Sequence, residues 1–223
     1  MEFQDQLAIL LNEEEYDGVK ILKDLEFIGR ICYNSHDRIT DNSYKKFIQM
    51  LIDRGHESVL EHNSFTFILR TDRAIANELV RHRIASYAQT STRYVNYNKG
   101  DNNITVIPMY HKIDNKDLNN RIYEYYKLGE ELYKDLVNSK VPPEHARDIL
   151  WNSLMTDIVA TMNIRQWRHF IKLRISEGAH PKMRYLTYMI YKAFNRIGLD
   201  ILFNDINGIN KYKEFIDGNE IKS

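Results

Sequence analysis

From Asn63 to Arg70 the chain reads Asn-Ser-Phe-Thr-Phe-Ile-Leu-Arg, an alternating run dense in β-formers. Such alternation in β-formers predicts an extended strand. Thr71 or Asp72 then caps a helix carrying Ala74, Ile75, Leu79 and Val80. The same order recurs further on, where Asp157–Met162 reads as strand and Asn163 caps a helix from Ile164 to Arg174. Gln6–Leu11 reads as an opening strand. Val19 to Cys32 predicts a helix, with Ile21, Leu22, Leu25, Ile28 and Ile31 near helical spacing and Cys32 as buried filler. Ser43 is the expected N-cap of a helix that turns Phe47, Ile48, Leu51 and Ile52 inward and closes at Gly55. Val95 to Met109 is an irregular connection with a short β-like piece at Ile104–Ile107. Leu118–Val137 predicts a long amphipathic helix with a stripe of Leu118, Ile122, Tyr125, Leu132 and Leu136 for core or subunit interface. Pro143 stands in the first turn of a helix running to Trp151, and Pro181 opens a last helix before an end that frays from about Asn204. Strand and helix alternate without repeat or linker, which predicts an α/β (α+β) fold: one domain over residues 1–223, a central sheet flanked by helices.

Lysine plus arginine and aspartate plus glutamate both number 31. Zero net charge argues against a general nucleic-acid binder, whose surface is basic, and leaves room for local positive pockets. No membrane partner is expected, because no apolar stretch approaches the length of a membrane span. The N-terminal residues lack a basic start followed by an apolar run, so a soluble, cytoplasmic protein is expected. Cys32 is the one cysteine, which excludes a disulfide framework and a Cys-based zinc site within one chain. The nine glycines are scattered, so a G-x-G-x-x-G turn and a P-loop are excluded. No serine lies in a G-x-S-x-G elbow. His56 and His62, with Glu57 and Glu61 between, stand six apart, which is not His-Glu-x-x-His spacing; no metal site is expected, and the segment reads as a hydrogen-bonding loop beside a site.

Two windows lack acids altogether. Leu79 to Gly100 holds Arg81, His82, Arg83 and Arg93 among hydroxyls, amides and tyrosines. The planar, permanently charged arginine fork suits phosphate, although Arg81-His82-Arg83 is expected at the C-terminal end of the preceding helix, where cations also stabilise the helix dipole. In the second window, Ile158 to Ser176, helical spacing puts Arg165, His169 and Lys172 along one face with Arg168 beside it. Like charges so close repel, and an anion between them relieves the repulsion. Two such windows point to more than one phosphate. A polynucleotide-binding module with interleaved Tyr87, Tyr94 and Tyr97 is the rival from another class; neutral net charge counts against it.

Arg81-His82-Arg83, seven further residues and then Ser91 match the R-H-R-(x)7-S signature, and Arg93-Tyr94 extends the match. The chain thus resembles the flavin-dependent thymidylate synthases, from about Ser43 to Lys182. The similarity takes in Gly55-His56-Glu57 with Glu61-His62, the Val141-Pro142 turn with Arg147, and Asn163-x-Arg165 leading to Leu173-Arg174. The resemblance implies reductive methylation of dUMP to dTMP, with 5,10-methylenetetrahydrofolate giving the carbon and FAD reduced by NADPH carrying the hydride. It assigns Ser58, Arg81, His82, Arg83, Gln89, Asn163, Arg165 and His169 to FAD. It assigns Glu78, Arg81, Gln89, Ser91, Arg93, Arg147 and Arg174 to dUMP. Arg174 would favour the N3-ionised uracil, so that C5 becomes electron-rich without an enzyme thiol. His56 matches the histidine near the stacked flavin and folate. Glu78 stands where the family carries Gln, Gln89 where Glu is frequent, and His169 where Asn is frequent. The resemblance also implies a homotetramer with shared sites. A flavoprotein of this fold that has lost the methylation step is a second rival.

Overall fold

The computed structural model of the chain describes residues 2–100 and 102–219. Its elements, in chain order, are β1 (Glu2–Phe3), β2 (Leu7–Leu10), α1 (Gly18–Cys32), α2 (Ser43–Asp53), β3 (Ser64–Asp72), α3 (Arg73–Leu79) and β4 (Ser86–Gln89). There follow β5 (Thr105–Val106), α4 (Lys116–Asn138), α5 (Pro143–Ala146), β6 (Met155–Asn163), α6 (Ile164–Arg174), α7 (Pro181–Arg196) and α8 (Asn207–Asn219). Short 3-10 turns include Glu57–His62, Arg147–Ile149 and Asp200–Phe203. Four strands form one sheet in the order β2-β3-β6-β4, and β1 pairs with β5 in parallel. Ile164 N–H donates to Asn63 O near one end of the β3–β6 pair and Arg73 N–H to Leu154 O at the other, so these two strands run antiparallel. The expected mixture of helix and sheet is what the chain forms.

The backbone divides into two compact units. Met1–Leu7, Leu69–Arg81 and Tyr87–Ile158 form one; Ala8–Ile68, His82–Ser86 and Val159–Ser223 form the other. In the second unit Phe65, Phe67, Trp167, Phe170 and Phe194 are almost fully buried. Their rings meet edge to face, with Phe67 and Trp167 centroids 4.9 Å apart and Phe65 and Phe194 5.1 Å apart. The Trp167 indole N–H donates to the carbonyl of Phe65 at 3.1 Å, which fixes α6 on β3. Both expected caps form: Asp72 accepts from the Ile75 N–H and Asn163 from the Gln166 N–H.

In the first unit Ile104, Tyr133, Ala146 and Leu154 make a small core, with Trp151, Val141 and Leu136 packed against it. Of the stripe expected on α4 for core or subunit interface, the core reading holds at Leu136 and is corrected at three positions. Leu118, Tyr125 and Leu132 are exposed, and Gly129, Glu130 and Tyr133 are buried instead. The reason is a close approach: a Cβ on Gly129 would stand 2.2 Å from Cζ2 of Trp151. The helix presents the one face on which an indole can lie against its backbone.

Other expectations yield to packing. Cys32 is exposed at the end of α1, and Ile31 is 58% exposed, so the α1 stripe stops at Ile28. Glu26 is buried on that helix in its place, held by Arg30 and by the Ser43 hydroxyl. Ser43 is therefore not a cap but the first residue of α2, behind Asn42. Ser86–Gln89, read as part of a basic loop, is strand β4, and Thr90 N–H donates to Asp157 O at its end. The helix from Pro143 stops at Ala146 and tightens into the 3-10 turn. Beyond Asn204 the chain does not fray but forms α8, with Ile206, Ile209 and Tyr212 buried; residues 220–223 lie outside the described residues.

Gly129→Ala should lower stability by roughly 1–3 kcal/mol through overpacking, although helix propensity alone favours alanine by about 1 kcal/mol. Urea unfolding decides between the two, and a variant at least as stable as the parent would contradict the packing account.

Candidate active site

In the unit that contains α6, Arg168 and Arg165 of that helix meet carboxylates from other segments and share Glu57. Arg168 is 5% exposed and receives two carboxylates: Asp205 at 2.9 and 3.0 Å and Glu57 at 2.9 and 3.1 Å. It also donates to the carbonyl of Leu202. Burial works against its charge, but Asp205 and Glu57 outweigh burial and hold its pKa above the ordinary value. One turn earlier Arg165 reaches Glu61 at 2.5 Å and Glu57 at 3.8 Å. The repulsion read from sequence is thus relieved in part by the protein's own carboxylates.

Glu57, Glu61, Ile84, Asn163, Arg165, Gln166 and His169 line a cleft of about 470 Å³. Three of these residues, Asn163, Arg165 and His169, were expected to bind one ligand. The cap uses the Asn163 carbonyl oxygen, so its amide nitrogen carries the donors left to offer. Sequence reasoning singled out Glu57 and Glu61 without a partner and missed Gln166 and Ile84. Ser58 lies exposed on the turn Glu57–His62. His56, just before it, is exposed too, and its Nδ1 lies 2.5 Å from the hydroxyl of Tyr33, a residue no sequence signal pointed to.

The Arg81-His82-Arg83 motif follows α3 rather than ending it, since that helix closes at Leu79. Its side chains alternate: Arg81 and Arg83 are exposed and His82 is only 6% exposed. The His82 ring packs edge-on against Phe170, centroids 4.9 Å apart, and faces His169 at 6.0 Å. Its Nε2 accepts a hydrogen bond from Arg174 Nε at 3.0 Å. Burial first, then the charges of Arg174 and His169, push the His82 pKa down to about 4.

In the other unit Ser91, Thr92, Arg93, Glu144 and Arg147 come together. The Ser91 hydroxyl accepts from the Arg93 N–H at 3.3 Å, a local turn that sets the Arg93 backbone. Arg93 Nε donates to the Glu144 carboxylate at 3.0 Å. Arg147 Nε donates to the Glu144 carbonyl at 3.0 Å and Arg147 Nη1 to the Thr92 hydroxyl at 3.1 Å. Glu144 and Thr92 were missed; the available signal was Glu144 three residues before Arg147, one helical turn. Gln89 is half-buried on β4 and donates to the Thr156 hydroxyl at 3.2 Å. Glu78, on α3, is half-buried, and its carbonyl accepts from the Arg81 N–H. Among the described residues, no group of three or more His, Cys, Asp or Glu is placed to hold a metal ion. No helix among them is long and apolar enough to cross a membrane.

These clusters define a mixed α/β protein that presents guanidinium, imidazole and amide donors from helix ends and strand ends. Residues 20–197 match the model of the family described as thymidylate synthase complementing protein, more of the chain than the sequence resemblance spanned. A flavin-dependent thymidylate synthase of Pyrococcus furiosus is 37% identical over 170 residues, covering 74% of this chain and 68% of that protein. One from Geobacter sulfurreducens is 38% identical over 167 residues, 71% of each. Among solved structures, a UMP/dUMP methylase from Streptomyces cacaoi bound with 5-Br dUMP is similar in fold, with a TM-score of 0.76 at 20% identity, covering 93% of this chain and 99% of that one. Thymidylate Synthase X from Helicobacter pylori with FAD and dUMP gives a TM-score of 0.71 at 20% identity, covering 91% and 99%. The chain belongs to the flavin-dependent thymidylate synthase family of enzymes.

Keeping His82 neutral in the folded protein has a consequence for stability. Its folded pKa, about 4, lies below the unfolded 6.5, so the folded state binds fewer protons. The stability this group contributes is present in full above about pH 6.5 and is lost as pH falls from there toward 4. Urea unfolding should therefore give a lower stability at pH 5 than at pH 7, with a smaller difference in His82→Gln. An equal difference in parent and variant would count against a neutral buried ring.

Proposed function

We propose that this enzyme converts dUMP to dTMP by reductive methylation, with 5,10-methylenetetrahydrofolate as carbon donor, FAD as hydride carrier and NADPH as its reductant. The observation that carries the reading is the hydrogen bond from Arg174 to the middle residue of the Arg81-His82-Arg83 motif. It joins the residue expected to act on the uracil to the family's signature.

The donor chemistry fits a phosphate-bearing flavin. The cleft offers the Asn163 amide at the start of α6, the Arg165 guanidinium, Gln166 and His169, with Ile84 as an apolar wall. Glu61 and Glu57 hold Arg165 there, so a bound phosphate competes with them for its fork. Ser58, Arg81, His82, Arg83 and Gln89 complete the expected FAD set, and FAD supplies the hydride when bound.

For dUMP, Arg93 and Arg147 offer two cations oriented by Glu144, with the Ser91 hydroxyl alongside. Arg81, Glu78 and Gln89 are assigned to the same nucleotide, whose phosphate the Glu78 carboxylate would repel unless turned away from it. Arg174 would hold negative charge developing on the uracil, making C5 nucleophilic. His56, oriented by Tyr33, stands as the residue beside the stacked flavin and folate. Cys32 lies exposed at the end of α1, outside the signature, which supports a route without an enzyme thiol. We further propose that residues 1–223 work as one synthase domain in a cytoplasmic homotetramer with shared sites, binding neither nucleic acid nor a metal.

The purified protein should show a flavin band that bleaches with NADPH, and it should form dTMP from dUMP and methylenetetrahydrofolate, with UMP as the comparison substrate. Colourless protein after incubation with FAD would defeat the reading. Arg174→Ala should abolish turnover while FAD stays bound; retained dTMP formation removes Arg174 from its role. Cys32→Ser should keep turnover within about twofold of the parent, a change of under roughly 0.5 kcal/mol in barrier, and loss of activity would restore a thiol mechanism.

A further inference from the structure

His82 is 6% exposed and sits against one face of α6, edge-on to Phe170 and near His169. Phe170 and Arg174 are one turn apart on that helix, so the ring that packs on the first also reaches the second. The Arg174 Nε–H is a donor only, and the contact is 3.0 Å to His82 Nε2. Nε2 must therefore present its lone pair, and in the neutral ring the proton sits on Nδ1. The flanking Arg81 and Arg83 are exposed. The motif is thus two outward cations around an inward acceptor.

We propose that His82 is a positioning residue for Arg174: its neutral ring accepts the Nε–H and sets the direction in which the guanidinium is presented. This rests on the role proposed for Arg174 toward the uracil and adds to the flavin role that the resemblance gives His82. A guanidinium is planar, so fixing the Nε–H vector fixes the plane that carries its two terminal nitrogens. The choice of acceptor matters. A carboxylate in this place would hold the fork more tightly but would offset the charge that the uracil is to feel. Through an imidazole the guanidinium gains an acceptor and gives up no charge. Lodging the ring beside Phe170 keeps it uncharged, so that the acceptor does not become a donor facing a donor.

Two amides separate this role from mere packing. The glutamine carbonyl can reach the place of Nε2, whereas the shorter asparagine cannot. His82→Asn should lose kcat by about 10- to 100-fold, as a misdirected catalytic group does, and His82→Gln should lose clearly less. Any change in flavin content or KM for dUMP should be the same in both variants, since both remove the imidazole assigned to FAD. Equal kcat in the two variants, or a loss confined to KM or flavin content, overturns the proposal. A measurement on the parent protein stands apart from whether either variant folds. With ¹⁵N-labelled histidine, the His82 Nε2 resonance should be that of an unprotonated nitrogen at pH 7, and a protonated Nε2 overturns the proposal. The parent's own dTMP formation is the control. Without it the proposed reaction fails, while the nitrogen spectrum still decides whether His82 accepts from Arg174.

Discussion

The unit built on α6 depends on one buried cation. Arg168 is nearly inaccessible, and taking a guanidinium out of water is costly unless its hydrogen bonds are met. They are met by Glu57 from the turn Glu57–His62, by Asp205 and by the Leu202 carbonyl from the segment after α7. Three stretches distant in sequence are thereby tied to one side chain. The turn so tied carries His56, Ser58 and Glu61, and Glu61 in turn holds Arg165. The geometry of the cleft thus depends on satisfying a charge that is not among its lining residues.

The management of charge is the common thread. From sequence, the acid-free windows look like cations waiting for a ligand. In the fold, carboxylates from elsewhere meet two of the exposed ones: Glu61 and Glu57 at Arg165, and Glu144 at Arg93. These exposed or half-exposed pairs contribute little to stability, about 0–1 kcal/mol each. Their effect is orientation, since a fork held on one side is pointed on the other. His82 orients Arg174 by the same means through an imidazole acceptor.

The elements with strong local signals were legible. β3 has strict alternation, and α3 and α6 begin at Asp72 and Asn163, whose side chains close the first turn within four residues of chain. The signature around His82 and Ser91 was legible as a resemblance, because its spacing is short and fixed. What failed did so where the local pattern did not decide the outcome. α4 buries Gly129, Glu130 and Tyr133, which no apolar pattern marks, because Trp151 packs against Gly129. Ser86–Gln89 has little hydrophobic pattern and becomes a strand because β6 offers it a partner. Cys32 and Ile31 lie where the α1 stripe meets no neighbour.

By itself the sequence determined β3, the caps of α3 and α6 at Asp72 and Asn163, and the family, since these rest on interactions a few residues long or on a fixed motif. Only the tertiary structure decided which cations are spoken for, which face of α4 is buried, and that His82 turns inward to Arg174 while Arg81 and Arg83 turn out. The physical reason is range. A cap or a strand pattern is settled between neighbours, whereas the partner of a buried charge and the orientation of a guanidinium are settled by residues up to 111 positions away.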